Sequence, residues 1–455
     1  MQSILQSVEV LNANVNQIVW GPLMLIFLSG IGIYLSFRMD FPQARHFGHI
    51  CKHTIGTLFK KRGVRKKGEI TPFQAVSTAL AGTIGVGNIV GVATAITAGG
   101  PGAVFWMWVS AFFGMMTKYT EVLLAVRYRR KRADGSFTGG PMVYLADGLH
   151  FKKLAALFAV LCVFASLGIG NMTQANAISQ AAQALWGAPA QLTGFVAMGI
   201  VAVVMLGGIG RIANVAEKIV PLMALFYIAG CVAALAIYGE QLPSAFTQIF
   251  QGAFDLRAAG GGVAGYAVAR AIRYGFSRGV FSNEAGLGSA PIVHASAQTD
   301  NPVRQGFWGM IEVFFDTLVM CTMTALVIIA SGLWESAGMD GLVLTAAAFT
   351  KALGPMGGSF VSIGVIFFAL STIFGWSVYG QRCIEYMFPR TPRMAQGYRI
   401  GYVALVFAGA VMELQMVWNI SDTLNGLMAI PNLIGVVGLS GVAIRMTRDY
   451  FDHLR

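Results

Sequence analysis

An apolar run long enough to cross a bilayer, roughly residues 73–98, is interrupted at its centre by Ala81-Gly82-Thr83-Ile84-Gly85-Val86-Gly87-Asn88. Each glycine costs a helix about 1 kcal/mol relative to alanine, so this cluster argues for a helix with a built-in break. Backbone groups freed by a break cannot stay unpaired in hydrocarbon. They are tolerated where protein buries them or where they line a polar cavity. Breaks near the bilayer midplane mark the sites at which secondary transporters hold their cargo.

Composition agrees with a membrane setting. Of the 455 residues, 56% are hydrophobic and 11% charged, whereas soluble domains carry about 25% charged residues. The 56 glycines fit helices that approach closely. A net charge of +12 could suggest nucleic acid, but the basic residues sit in short loops between apolar runs. That is the pattern of cytoplasmic loops. Cys51, Cys162, Cys231, Cys321 and Cys383 match no metal or redox spacing, and the four in or beside apolar helices read as small buried hydrophobes. His46, His49 and His53 have helical spacing in a basic loop, and a solvated or lipid-facing surface is the better reading than a metal site.

Apolar runs predict about eleven spans, near 17–37, 73–98, 102–127, 154–185, 193–210, 214–237, 262–296, 306–331, 358–388, 398–414 and 416–445. The run Ile18–Phe37 reads as a retained helix rather than a cleaved signal. Arg38 and the cluster Lys60–Lys67 follow it, so the N-terminus is expected outside. Expected inner loops then hold Arg129 to Arg132, Arg211 with Lys218, Arg304, and Arg390 with Arg393; the C-terminus with Arg445, Arg448 and Arg455 also falls inside. Expected outer loops carry only Arg257 and Lys351.

With the first span set aside, the remaining ten divide into five and five, and an odd number per half forces the halves to run in opposite directions. The first span of the second half holds its own interruption, Ser282-Asn283-Glu284-Ala285-Gly286-Leu287-Gly288-Ser289. Matched breaks in inverted halves point to a transport site. Close-packing seams such as Gly87-x-x-x-Gly91 explain the glycines but not Asn88, Asn283 and Glu284. The domain layout is an N-terminal helix at 1–40, a basic loop at 41–72, a first repeat at 73–238, an external connection at 239–261, a second repeat at 262–446 and a basic tail at 447–455.

The stretch Thr71-Pro72-Phe73-Gln74-Ala75 through Gly87-Asn88-Ile89-Val90-Gly91-Val92-Ala93, then Gly99-Gly100-Pro101-Gly102-Ala103, resembles the alanine/glycine:cation symporters. So do Gly139-Gly140-Pro141-Met142 and Phe281-Ser282-Asn283-Glu284-Ala285-Gly286-Leu287-Gly288-Ser289-Ala290-Pro291. The resemblance covers nearly the whole chain. It implies an all-α polytopic membrane protein with a LeuT-type 5+5 inverted repeat after one extra helix. It also implies sodium-coupled uptake of small neutral amino acids, chiefly alanine and glycine, in a bacterial or archaeal plasma membrane, with no organic cofactor.

A zwitterion at membrane depth needs donors for its carboxylate and acceptors for its ammonium, and a broken helix offers both. The amides around Gly85, Val86 and Gly87 are candidates for the carboxylate, with Thr83 beside them; small residues let the substrate reach the backbone. Carbonyls near Phe281 and Ser282, with Asn283 adjacent, are candidates for the ammonium. Sodium needs oxygens, which carbonyls at Ala81, Thr83 and Ile84 and the Asn88 side chain can supply. By analogy with the LeuT-type fold, a second ion would sit against Ser371 and Thr372, hydroxyls that could instead bond to their own helix. The likeness also raises Gln174, near Asn171, Thr173 and Asn176, as a substrate contact. Phe276 and Trp376 are candidate walls that restrict side-chain size.

Charges within the spans need partners. Glu312 and Asp316, four residues apart, and Arg270, Arg273 and Arg278 suggest a structural ion-pair network; Lys118 and Glu121 read as paired or snorkelling. Glu284, lying in a break, could hold the unwound backbone, pair with an arginine or titrate, and proton coupling would pass through it. A channel would want a continuous polar pore or charged rings, and no catalytic constellation for an intramembrane enzyme stands out. A nonconducting receptor would bind the amino acid without accumulating it.

Overall fold

The computed structural model describes residues 2–58, 70–132, 135–254, 263–299, 301–336, 338–412 and 415–453. The cluster Lys60–Lys67, Arg257 and Arg455, used above to orient the chain, lie outside the described residues. Helices dominate. The exceptions are a short hairpin, in which Arg130 pairs with Thr138 and Lys131 with Phe137, and a bridge between Ile70 and Ala297.

Among the described residues, 7 helices are long and apolar enough to cross a membrane: Glu9–Arg38, Gly102–Arg127, Lys152–Trp186, Gly208–Ile237, Pro302–Ser331, Pro355–Met387 and Val417–Gly438. The other expected spans are also helical, and each departs from that rule for a visible reason. One is broken between Pro72–Thr83 and Val90–Gly99. Ala190–Leu206 has 17 residues. Val263–Asn283 carries three arginines, and Pro392–Val411 is diluted by Arg393, Gln396 and Arg399.

Three boundaries differ from the hydropathy reading. The first apolar run is divided at Trp20-Gly21 into helices Gln2–Val19 and Pro22–Arg38, with Pro22 opening the second. The run 262–296 is continuously helical only to Asn283, with one further turn at Pro291–His294, and the final run parts at Leu439 into Gln415–Gly438 and Ser440–Asp452. Hydropathy registers burial in lipid or protein and is blind to such turns.

Glycines set the packing. Helix Gly102–Arg127 lies between Val263–Asn283 and Pro302–Val313. A Cβ on Gly279 would stand 3.3 Å from Ser110 Oγ, and one on Gly306 would stand 2.7 Å from the Tyr119 ring. The long helix Pro355–Met387 meets the first broken helix the same way: a Cβ on Gly375 would be 2.6 Å from the Gly82 amide nitrogen. Such contacts replace the hydrophobic driving force that lipid removes.

The Thr71-Pro72-Phe73-Gln74 motif is a capping box. Thr71 Oγ1 accepts from the Gln74 amide at 3.1 Å, and Gln74 Oε1 accepts from the Thr71 amide at 3.0 Å. Gln74 Nε2 also reaches Asn214 Oδ1 at 2.8 Å and Glu217 Oε2 at 2.9 Å, which anchors the N-terminal end of the broken helix.

Two of the three loop histidines, His46 and His49, pack against helix Ser440–Asp452, and all three are partly buried. His46 stacks on Phe451, His49 stacks on His53 at 4.0 Å, and His49 Nε2 lies 3.1 Å from Tyr450 Oη. Partial burial, then repulsion from His53, His46, Lys52 and Arg304, lowers the His49 pKa.

Candidate functional site

The first break begins where Thr83 ends its helix. Ile84 and Gly85 are extended, Val86–Asn88 form one 3-10 turn, and the helix resumes at Val90. Asn88 is fully buried and braces the turn. Its Oδ1 accepts from the Gly85 amide at 2.9 Å, while its Nδ2 donates to Asp316 Oδ1 at 2.8 Å and to the Asp316 carbonyl at 3.1 Å. The Gly85 amide is thereby engaged. The amides of Val86 and Gly87 open the turn, where N–H groups have no partner within the helix.

The second break follows Asn283. Glu284 adopts φ 55°, and Gly286 and Gly288 adopt φ 94° and 81°. Only glycine does this without steric cost, so the Glu284 conformation is held by its surroundings. Its carboxylate accepts a short hydrogen bond from Ser289 Oγ. Asn283 Oδ1 accepts from the Ala285 amide at 3.0 Å, and Asn432 Nδ2 donates to the Gly286 carbonyl at 2.8 Å. Asn432 also donates to Glu121, and Tyr144 donates to Asn432.

Asp316 joins the two breaks. Besides Asn88, it accepts from Ser282 Oγ at 2.8 Å and from Thr317 Oγ1 at 2.8 Å. It lies in a π-helical stretch, Phe314–Cys321, a distortion common at functional sites. The expected network of Glu312 and Asp316 with the arginines does not form among the described residues. Glu312 instead takes Lys118 Nζ at 3.2 Å and His294 Nε2 at 3.1 Å, all buried. Lys118 is thus paired at depth and does not snorkel. Arg270 lies over Tyr266 and Tyr274, and Arg273 over Tyr274.

Between the first break and the long helix lies a cavity of about 20 Å³. Thr83, Gly85, Val86, Gly87, Gln174, Phe281, Thr372 and Trp376 line it, all of them singled out from sequence, together with Glu284 and Asn425. Gln174 donates from Nε2 to the Ile169 carbonyl at 3.0 Å, and its Oε1 is buried without a partner among the described residues. The same is true of Asn425 Oδ1. Buried acceptors of this kind call for a ligand. Trp376 closes one wall in space that Gly170 leaves open.

The remaining candidates do not line this cavity. Ser282 and Asn283 bond to Asp316 and Thr317, and Phe276, expected as a wall, packs instead on Trp106 at 6.1 Å. The Ala81 carbonyl accepts from Ser371 Oγ at 3.4 Å, and a Cβ on Gly85 would lie 2.6 Å from Thr372 Oγ1. Both hydroxyls also bond back to the Phe368 carbonyl. Ile84 adjoins the break, its amide donating to Leu80. Asn171 and Asn176 bond to the carbonyls of Tyr402 and Met412, and Thr173 bonds to the same Ile169 carbonyl that Gln174 uses. Sequence reasoning passed over Asn425 and misread Asp316; a polar side chain inside the last apolar run was the available signal for the former.

A second cavity of about 300 Å³ lies on the far side of Phe281. It shares Val86, Gly87, Gln174 and Phe281 with the first and adds Arg278, Trp418, Asn419 and Asp422.

The model of the sodium:alanine symporter family matches residues 5–455. The sodium/alanine symporter AgcS of Methanococcus maripaludis is 48% identical over 444 residues, covering 96% of each chain. An uncharacterized transporter of Haemophilus influenzae is 45% identical over 452 residues, covering 99% of this chain and 97% of the relative. A probable sodium/glutamine symporter, GlnT, of Bacillus subtilis is 36% identical over 99% of this chain and 91% of its own. Among solved structures, a manganese transporter of Eremococcus coleocola aligns with TM-score 0.50 at 13% identity, over 81% of this chain and 77% of its own, a likeness of fold alone. The chain is a multi-pass membrane transporter, not an enzyme, and it belongs to the sodium:alanine symporter family.

Proposed function

We propose that the chain carries small neutral amino acids, alanine and glycine, inward with sodium by alternating access, through eleven spans in a LeuT-type 5+5 inverted repeat behind one extra helix. The halves are 73–238 and 262–446, joined by 239–261, with 1–40 and the basic segments 41–72 and 447–455 around them. The N-terminus faces outward and the C-terminus the cytoplasm, the orientation favoured by the basic loops.

One observation carries the reading: a small cavity is lined by Val86 and Gly87, whose amides open the 3-10 turn, and by Gln174 and Asn425, whose buried amide oxygens have no partner among the described residues. The amides of Val86 and Gly87 receive the carboxylate. Gln174 and Asn425, with the carbonyl of Phe281, receive the ammonium. Sodium lies between the Ala81 carbonyl and the Ser371 and Thr372 hydroxyls, with the carbonyls of Thr83 and Ile84 next to it. Asn88 keeps the shape of the break. A cavity of about 20 Å³ holds one water-sized guest, so amino-acid entry requires Phe281 or Trp376 to move. This contracted pocket favours glycine and alanine over larger side chains. Because both ligands touch the first broken helix, each stabilises the closed state that the other needs.

Labelled-alanine uptake into proteoliposomes tests the reading. Sodium-driven accumulation above the outside level, blocked by excess glycine, is expected. In Thr372→Ala, the sodium concentration for half-maximal uptake should rise about tenfold. Equilibration insensitive to any gradient would break the proposal. Glu284 lines the cavity, which favours one second reading, proton coupling; accumulation driven equally by a proton gradient and lost in Glu284→Gln would establish it.

A further inference from the structure

Two opposite charges line the outer cavity without meeting. Arg278 projects from Val263–Asn283 and Asp422 from Gln415–Gly438. Among the described residues no ion pair joins them within 4.0 Å. Arg278 Nε is buried and has no partner among the described residues, and its guanidinium carbon lies 5.7 Å from the centre of the Phe281 ring. Asp422 is held from the other side: Oδ2 accepts from Asn16 Nδ2 at 3.1 Å, and its carbonyl accepts from Trp20 Nε1 at 3.2 Å. Its Oδ1 has no partner among the described residues.

A simple anion in this cavity would be repelled by Asp422, and a simple cation by Arg278. A ligand that satisfies both carries both signs, and charges at partly buried sites interact several-fold more strongly than in water. We propose that the cavity of about 300 Å³ is an outer subsite for a free zwitterionic amino acid, Arg278 taking the carboxylate and Asp422 the ammonium before Phe281 gives way. The inference rests on the amino-acid symport reading and adds a division of labour to it. The outer cavity reads the two backbone charges and has room for large side chains, whereas the inner one reads size.

The test uses the full-length protein in liposomes. Arg278→Gln and Asp422→Asn should each raise the alanine KM of sodium-driven uptake about tenfold, outweighing any change in Vmax. An unchanged KM in both variants overturns the subsite. So does a fall in Vmax at constant KM, the mark of a gate that only opens and closes. Where a variant fails to reach the membrane, Asn419→Cys decides. Its labelling by an impermeant maleimide without sodium should slow about threefold or more with alanine. Leucine should slow it comparably, and alaninamide and propionate, each lacking one charge, should not. No protection by alanine, or equal protection by all four, overturns the subsite. Wild-type protein that accumulates no alanine under a sodium gradient breaks the symport reading instead, and the sodium-free labelling still decides the subsite.

Discussion

The two broken helices solve one problem in opposite ways. The first, at Ile84–Asn88, stays close to extended and 3-10 backbone and lines the small cavity, with Asn88 as its side-chain brace. The second, at Glu284–Ser289, enters the left-handed region three times and is tied down by Asn283, Ser289 and Asn432. On the proposed reading, one break presents its backbone to a guest; the other is fastened into the surrounding protein. Asp316 holds them in register. Glycine has a different use in each: closeness of approach in the first, conformation in the second.

The contrast can be broken most sharply at Gly85. Gly85→Val should cut alanine uptake about a hundredfold, equivalent to about 3 kcal/mol at the binding step. Gly91→Ala, whose added Cβ meets nothing within 4 Å, should stay within about twofold. Comparable losses in both, measured against surface expression, would end the claim that the first break touches the guest. Next comes the bridge. Asp316→Ala leaves buried donors on Asn88, Ser282 and Thr317 short of an acceptor, at about 1–3 kcal/mol each, and should lower the melting temperature together with uptake. Asp316→Asn should recover more of the stability than of the transport. The smallest effect belongs to Gly286→Ala. A left-handed residue costs about 1–2 kcal/mol, and the new Cβ would lie 2.6 Å from Leu28. Thermal stability should drop while the alanine KM shifts less than about threefold; a KM shift as large as that of Gly85→Val would erase the distinction between the breaks.

Much of this was legible in the sequence because lipid enforces simple rules. Apolar length marked the spans, and glycine with polar residues inside them marked both breaks. Gln174 was raised by the family likeness, since polar side chains on its helix face could equally bond to neighbouring helices. Asp316 was not legible. Spacing of four residues puts Glu312 and Asp316 on one face of an α-helix, which is why they read as a pair. The π-helical stretch beginning at Phe314 changes that register, so Glu312 meets Lys118 and His294 while Asp316 meets the two breaks. Asn88 had the right chemistry for an ion ligand and is folded as a brace, a distinction set by side-chain direction and not by residue type. Asn425 lay in an apolar run whose other polar residues, such as Ser421 and Thr423, face elsewhere.

The widened turns carry a consequence for how such a site arises and is lost. One occupies Phe314–Cys321 and delivers Asp316; the other occupies Gly168–Met172, immediately before Gln174. Each amounts to one residue more than a regular helix accommodates. Deleting a single residue from either would return the span to uniform winding and rotate everything beyond it by about 100°. The product would remain a good membrane helix, by hydropathy indistinguishable from its parent, with its working side chain aimed at a neighbour or at lipid. Transport in this chain therefore hangs on phase as much as on chemistry.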